Sequence, residues 1–182
     1  MRARKPPALL DEDSLYDYAV KLLGLQMRTI AEVKRLLRRR VEPGELGEGK
    51  VEAVIARLKE RRYLDDSGYA ADYAKLRQEN SSFGKRRVQQ DLIRKGVQSA
   101  VIAKTLDTAY ENVSEEDLAR RHLERKRIRK PASDKETARV VRLLVRAGFS
   151  TGVIFRILKQ WDIDDGALAA LDSIETGDSS DS

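Results

Sequence analysis

Apolar residues recur along this chain at intervals of three and four, and the stripes they form come in threes. Leu15, Tyr18, Ala19, Leu22 and Leu23 make the first, the spacing of one buried helix face. Thr29-Ile30-Ala31-Glu32 reads as a capping box opening a second helix, with Ile30, Val33, Leu36, Leu37 and Val41 on its face. Pro43-Gly44 stops it, and the acidic, glycine-rich stretch 42–49 reads as a loop. Val51, Val54, Ile55 and Leu58 mark a third helix ending near Tyr63-Leu64.

A second trio follows. Tyr69, Ala70, Tyr73, Ala74 and Leu76 form one stripe, broken at Ser81-Ser82-Phe83-Gly84. Val88, Leu92 and Ile93 form the next, closed by Gly96, a helix terminator. Val101, Ile102, Leu106 and Ala109 complete the set. The third trio opens at the capping box Ser114–Asp117, with Leu118, His122 and Leu123 on its face, and breaks at Lys130-Pro131-Ala132. Another capping box, Ser133–Glu136, leads to Val140, Val141, Leu144 and Val145. After Gly148-Phe149 come Val153, Ile154, Ile157, Leu158 and Trp161.

The trios are copies of one unit. Lys95-Gly96-Val97 and the residues to Leu106 match Ala147-Gly148-Phe149 and the residues to Leu158 at an offset of 52, while Val33 and Leu37 fall on Val88 and Leu92 at an offset of 55. A period near 50 marks repeated supersecondary units. The expected fold is all-α, with tandem three-helix repeats, about nine helices, in an elongated molecule with room to curve. The expected division is a basic flexible N-terminus (1–13), repeats at 14–64, 65–112 and 113–162, and an acidic disordered tail (163–182).

Composition narrows the function. Charged residues make up 36% of the 182 and aromatics 5%, a helical rather than sheet-forming profile. There is no cysteine and one histidine, His122, which leaves no His/Cys metal site and no disulfide framework. His122 lies on an apolar stripe, where a packing or surface role is expected rather than a catalytic one. No phosphate-cradling loop of the GxxxxGK[ST] kind occurs. Asp65 and Asp66, with Asp72, could in principle hold Mg²⁺ as in a nuclease. A helix start at this point makes capping the better account. No catalytic residue, cofactor or metal is expected. No apolar run is long enough to span a membrane and no signal-peptide stretch follows the basic start. A cytoplasmic monomer is the expectation.

Charge is unevenly placed. The net charge is +6, yet residues 162–182 carry seven acids and no Lys or Arg, which leaves +13 on residues 1–161. A cationic body of this density points to a polyanionic partner. Basic residues three or four apart share a helix face. On that rule Arg35, Arg38 and Arg39 form one ridge, Arg121, Arg125 and Arg129 a second, and Lys135, Arg139, Arg142 and Arg146 a third. Lys85, Arg86, Arg87, Arg94 and Lys95 form a further basic cluster on the fifth helix. These are the candidate partner- or DNA-binding residues. Aromatic stacking platforms and a helix-turn-helix reading element are lacking, so contact with nucleic acid would be to phosphates rather than to bases.

Two segments resemble the RecX family, regulators of the bacterial recombinase RecA. One is Tyr63-Leu64-Asp65-Asp66 with Tyr69-Ala70, and the other runs from Gly84-Lys85-Arg86-Arg87-Val88 through Leu92 to Gly96-Val97. The third repeat adds Leu143-Leu144-Val145-Arg146-Ala147-Gly148-Phe149. The family typically has Gly where this chain has Arg62. Tyr63, Leu64, Asp65, Asp66, Tyr69 and Gly96 are read as structural motif residues. The resemblance implies tandem three-helix repeats that dock in the groove of the RecA–single-stranded DNA filament. It also implies restraint of strand exchange, ATP hydrolysis and filament-supported repressor self-cleavage in DNA repair and the SOS response. Single-stranded DNA would then be bound weakly or through RecA. The alternative reading is a sequence-independent DNA-binding protein acting on recombination indirectly.

Overall fold

The computed structural model describes residues 8–163. Residues 1–7 of the expected basic N-terminus (1–13) and residues 164–182 of the expected acidic tail (163–182) lie outside the described residues. Nine α-helices and no strand occur among the described residues: α1 (Glu12–Leu25), α2 (Ile30–Leu37), α3 (Glu45–Glu60), α4 (Asp66–Ser81), α5 (Lys85–Arg94), α6 (Ser99–Tyr110), α7 (Glu115–Arg125), α8 (Asp134–Arg146) and α9 (Thr151–Gln160). A single 3-10 turn, Arg38–Arg40, extends α2. The architecture is all-α, as the periodicity predicts.

Several helix starts have a side-chain cap. Thr29 caps α2, its hydroxyl accepting from the Glu32 N–H while the Glu32 carboxylate accepts from the Thr29 N–H. Ser114 and Ser133 accept from the N–H groups of Asp117 and Glu136 to start α7 and α8. Asp65 accepts from Ser67 at the head of α4, the capping role read from sequence. Asp11 accepts from Ser14 and starts α1 at Glu12, inside the stretch expected to be flexible.

Two sequence expectations fail here. The 42–49 stretch is not a loop throughout, because α3 begins at Glu45. Gly44, at φ +106°, makes the turn, and Gly47 faces the chain that precedes it so closely that a Cβ would lie 1.8 Å from the Glu42 carbonyl oxygen. The glycines there allow backbone to pass backbone rather than breaking the helix. Leu76 and Ile93, placed on buried stripes by spacing, are 53% and 52% exposed.

Helix ends recur in kind. At the end of α5 the Gly96 N–H donates to the Ile93 carbonyl and the Val97 N–H to that of Leu92. At the end of α8, Gly148 and Phe149 make the same two bonds to Val145 and Leu144. Both are Schellman closures with a left-handed glycine and an apolar residue folded back over the last turn. The end of α3 has the same pair of bonds, from Arg62 to Lys59 and from Tyr63 to Leu58, but the left-handed residue is Arg62, at φ +59°. An L side chain in that region costs about 1–2 kcal/mol. Arg62→Gly is therefore expected to raise unfolding stability by about 1 kcal/mol, read as a higher urea midpoint with unchanged slope.

The chain resolves into two units. One takes residues up to Ala71 together with Leu92–Thr105; the other takes Asp72–Asp91 and everything from Leu106. The core of the first is built from Leu15, Ala19, Val33, Leu37, Val51 and Leu58, all fully buried. The second buries Leu118, Val141, Leu144, Phe149, Ile154 and Ile157, and packs α9 against both α7 and α8. Each of α4, α5 and α6 begins in one unit and ends in the other.

Candidate polyanion interface

Each unit contains one junction where the turn after the second helix of a repeat settles on the start of the second helix of the repeat before it. In the first unit the Thr29 hydroxyl donates to the Lys95 carbonyl at 2.7 Å, and Gly96 lies against Ala31, where a Cβ would come within 2.4 Å of the alanine Cβ. In the second unit the Gly84 N–H donates to the Ala147 carbonyl at 2.8 Å, and a Cβ on Gly148 would lie 2.2 Å from the Arg87 nitrogen. The offset of 55 carries Thr29 onto Gly84 and Glu32 onto Arg87, and the offset of 52 carries Lys95 onto Ala147. The two junctions are one device used twice.

Their side chains differ, and the difference makes a site. The first junction is closed by an ion pair, Lys95 Nζ to Glu32 Oε1 at 3.1 Å, with the Lys95 ammonium 5.5 Å from the centre of the Tyr69 ring. Burial works against the Lys95 charge, yet hydrogen bonds to Tyr69 and Glu32 raise its pKa. The partly buried Asp66 carboxylate accepts from the Ile30 N–H at 2.9 Å, and burial raises its pKa. The second junction has Arg87 in place of Glu32 and Ala147 in place of Lys95, so no such pair can form. A groove of about 410 Å³ remains, rimmed by Arg87, Lys126, Arg139, Arg142 and Arg146. Its floor is Phe83, His122, Leu143 and Ala147.

Helix geometry sets the cations. Arg139, Arg142 and Arg146 occupy one face of α8 at three- and four-residue spacing. Among the described residues no carboxylate lies within ion-pair distance of these three or of Lys126. Arg87 is more constrained: its Nε is 3.3 Å from Asp91 Oδ1 but out of hydrogen-bonding line, so that contact is Coulombic. Asp91 is itself buried and accepts from the Tyr73 hydroxyl at 3.1 Å. The Tyr110 hydroxyl donates to the Phe83 carbonyl at 3.0 Å and fixes the loop before α5, and burial pushes its pKa up to about 12.

His122 forms the floor of two cavities. It is 4% exposed, its ring lies 5.9 Å from that of Phe83 and 6.2 Å from that of Phe149, and its Nδ1 donates to the Ser81 carbonyl at 2.9 Å. Of the packing and surface roles expected of it, packing is the one its burial fits. A second groove of about 360 Å³ shares Phe83, His122 and Lys126 and adds Arg125, which donates to the Asn80 carbonyl. A third, of about 350 Å³, shares Arg139 and Leu143 with the first and adds Arg127, Arg129 and Lys130. The one acid lining it, Glu136, is held by the Ala132 N–H at 2.8 Å.

Burial lowers the His122 pKa, the Ser81 carbonyl opposes the shift, and the Lys126 and Arg125 charges add to it. The imidazole is neutral at pH 7. The unfolded chain takes up its proton near pH 6.5 and the folded chain only lower. Stability contributed by neutral His122 is therefore present above about pH 6.5 and falls as pH drops below it. This is the single histidine of the chain, so its lone imidazole NMR resonance should titrate with a midpoint below about 6.5.

The sequence-predicted candidates divide on this geometry. Arg87, Arg139, Arg142 and Arg146 meet at one groove, and Arg125 and Arg129 line the adjoining two. Arg121, Lys85, Arg86 and Lys135 belong to the same unit but line none of these. Lys85 pairs with Asp107 at 2.6 Å. Arg35, Arg38, Arg39, Arg94 and Lys95 lie in the other unit, where Arg38 is bridged to Glu48 at 2.5 Å. The Arg121–Arg125–Arg129 ridge does not exist as a helix face: α7 ends at Arg125, and Arg127 turns left-handed at φ +54°. No glycine or asparagine marks that end, so periodicity ran through it. Lys126, Phe83 and Leu143 were missed as groove residues because the groove needs a junction between repeats, which helical spacing does not encode. Among the described residues no three His, Cys, Asp or Glu side chains gather as a metal site. Asp65 accepts from the Ser67 N–H at the head of α4, and Asp66 accepts from the Ile30 N–H.

Comparison with known proteins gives a consistent relationship. The model of the second three-helix domain of RecX matches residues 65–106. The regulatory protein RecX of Myxococcus xanthus is 34% identical over 171 residues, covering 86% of this chain and 90% of that protein. The regulatory protein RecX of Oceanobacillus iheyensis is 28% identical over 150 residues, covering 81% of this chain but only 53% of that protein, so the chain spans about half the length of this relative. The crystal structure of RecX from Lactobacillus salivarius superposes with a TM-score of 0.67 at 21% identity, covering 85% of this chain and 98% of that one, a likeness of fold.

Proposed function

This chain belongs to the RecX family of regulatory proteins, and from that premise we propose that it binds the RecA–single-stranded DNA filament and restrains its recombinase, ATPase and repressor-cleavage activities. The observation that supports the reading in this molecule is the open second junction. It holds five cations around one groove where the first junction holds a closed ion pair. Arginine forks pair with phosphates and carboxylates in two-pronged contacts, so the groove can take an anionic element of a nucleoprotein polymer. Contact at several points adds through effective concentration. A regulator so bound opposes the subunit motions tied to ATP turnover, because it stabilises the state it binds. No catalytic group takes part.

The experiment is co-sedimentation with RecA filaments on single-stranded DNA at low salt, run beside the RecA ATPase rate. Binding with a slowed ATPase is expected, and absence from the pellet would remove the reading. The groove would also accept phosphates of bare DNA, which favours a second reading, sequence-independent DNA binding with an indirect effect on recombination. Equal affinity for bare and RecA-coated strands would select it.

A further inference from the structure

The chain leaves its last described helix beside the basic grooves. Asp162 follows α9, and its Oδ2 lies 3.7 Å from Lys130 Nζ. Lys130 lines the third groove, which continues into the first through Arg139 and Leu143. Beyond that point the sequence carries Asp164, Asp165, Asp172, Glu175, Asp178 and Asp181, with no Lys or Arg, and sets Leu168, Leu171 and Ile174 among them. The grooves have the complementary make-up: basic rims (Arg129, Lys130, Arg139, Arg142) over an apolar floor (Ile128, Val140, Leu143). Their one lining acid is occupied by a backbone N–H.

We propose that the acidic segment 164–182 binds in this chain's own groove along α8 and competes there with external polyanions. The inference rests on the reading of the groove as a polyanion site and concerns how access to it is set. Nineteen residues can extend roughly 60 Å, so reach does not limit the contact. A segment tethered at the groove mouth acts at millimolar effective concentration, which lets weak charge pairs suffice. It also sets a threshold: a dense array of phosphates displaces the segment, while isolated anions do not. A segment seated nine-tenths of the time weakens apparent affinity for any competitor about tenfold.

Two measurements on the full chain test this. The chain has no cysteine, so Ser173→Cys accepts a single nitroxide label. Broadening of amide signals from residues 126–146 is expected at low salt, with relief at roughly 0.5 M salt, where screening is nearly complete. No broadening of those signals at low salt overturns the proposal. Separately, the variant D164N/D165N/D172N/E175Q/D178N/D181N should bind a fluorescent oligothymidylate about tenfold more tightly than the parent. Unchanged affinity overturns the competition. The label needs no partner. Broadening without filament binding therefore counts against the proposed function alone, and filament binding without broadening counts against this inference alone.

Discussion

Arg139→Glu/Arg142→Glu should weaken binding to the RecA–DNA filament about 100-fold at low salt and lower the salt slope by about two, one for each anionic contact removed. Both side chains are exposed on one face of α8 and have no carboxylate partner among the described residues, so the substitutions break nothing in the fold. Circular dichroism and the urea midpoint should match the parent. The comparison that matters is Arg35→Glu/Arg39→Glu, which reverses as much charge at exposed positions of the first repeat that line none of the grooves. If net charge alone governed association, the two double variants would lose affinity equally. A much larger loss from the α8 pair places the binding energy in the open junction.

Gly148→Val should cost about 3–5 kcal/mol, from a side chain forced into the left-handed region and from overpacking. Gly148 has φ +87°, and its missing Cβ would fall 2.2 Å from the Arg87 nitrogen and 2.8 Å from its Cα. The obstacle is backbone, which cannot move aside as a flexible side chain would. Gly84 meets the same turn from the other direction, a Cβ there lying 2.4 Å from the Gly148 carbonyl oxygen. For a chain of this length the loss amounts to a fall in Tm of roughly 10 °C or more, measured by calorimetry. A Tm within a degree or two of the parent would mean that the second junction does not carry the packing described here.

The sequence made the helices legible because capping and periodicity are local. Thr29, Ser114 and Ser133 each cap the helix expected of them, and the glycines at 96 and 148 close α5 and α8 with the same two bonds. What it hid was long-range. Gly47 read as a loop residue because close backbone passage looks the same in sequence as a flexible turn. Arg127 gave no sign of ending α7, since a left-handed arginine is a strained exception. The groove was visible only in part. Arg139, Arg142 and Arg146 share a face by spacing, but Arg87, Lys126 and Phe83 join them only through the packing of one repeat's turn on another's helix. The substitution of Arg87 for Glu32 was present in the aligned repeats, and its meaning required knowing that the pair to Lys95 seals a junction.

The middle module has a mechanical property of its own. The fifth helix contributes to a junction at each of its ends, with Gly84 before its first turn and Gly96 after its last. Arrays of self-contained modules can melt piece by piece. Here, fraying of the last turn of α5 would withdraw the Lys95 carbonyl from the Thr29 hydroxyl, and fraying of its first turn would release the Gly84 N–H from the Ala147 carbonyl.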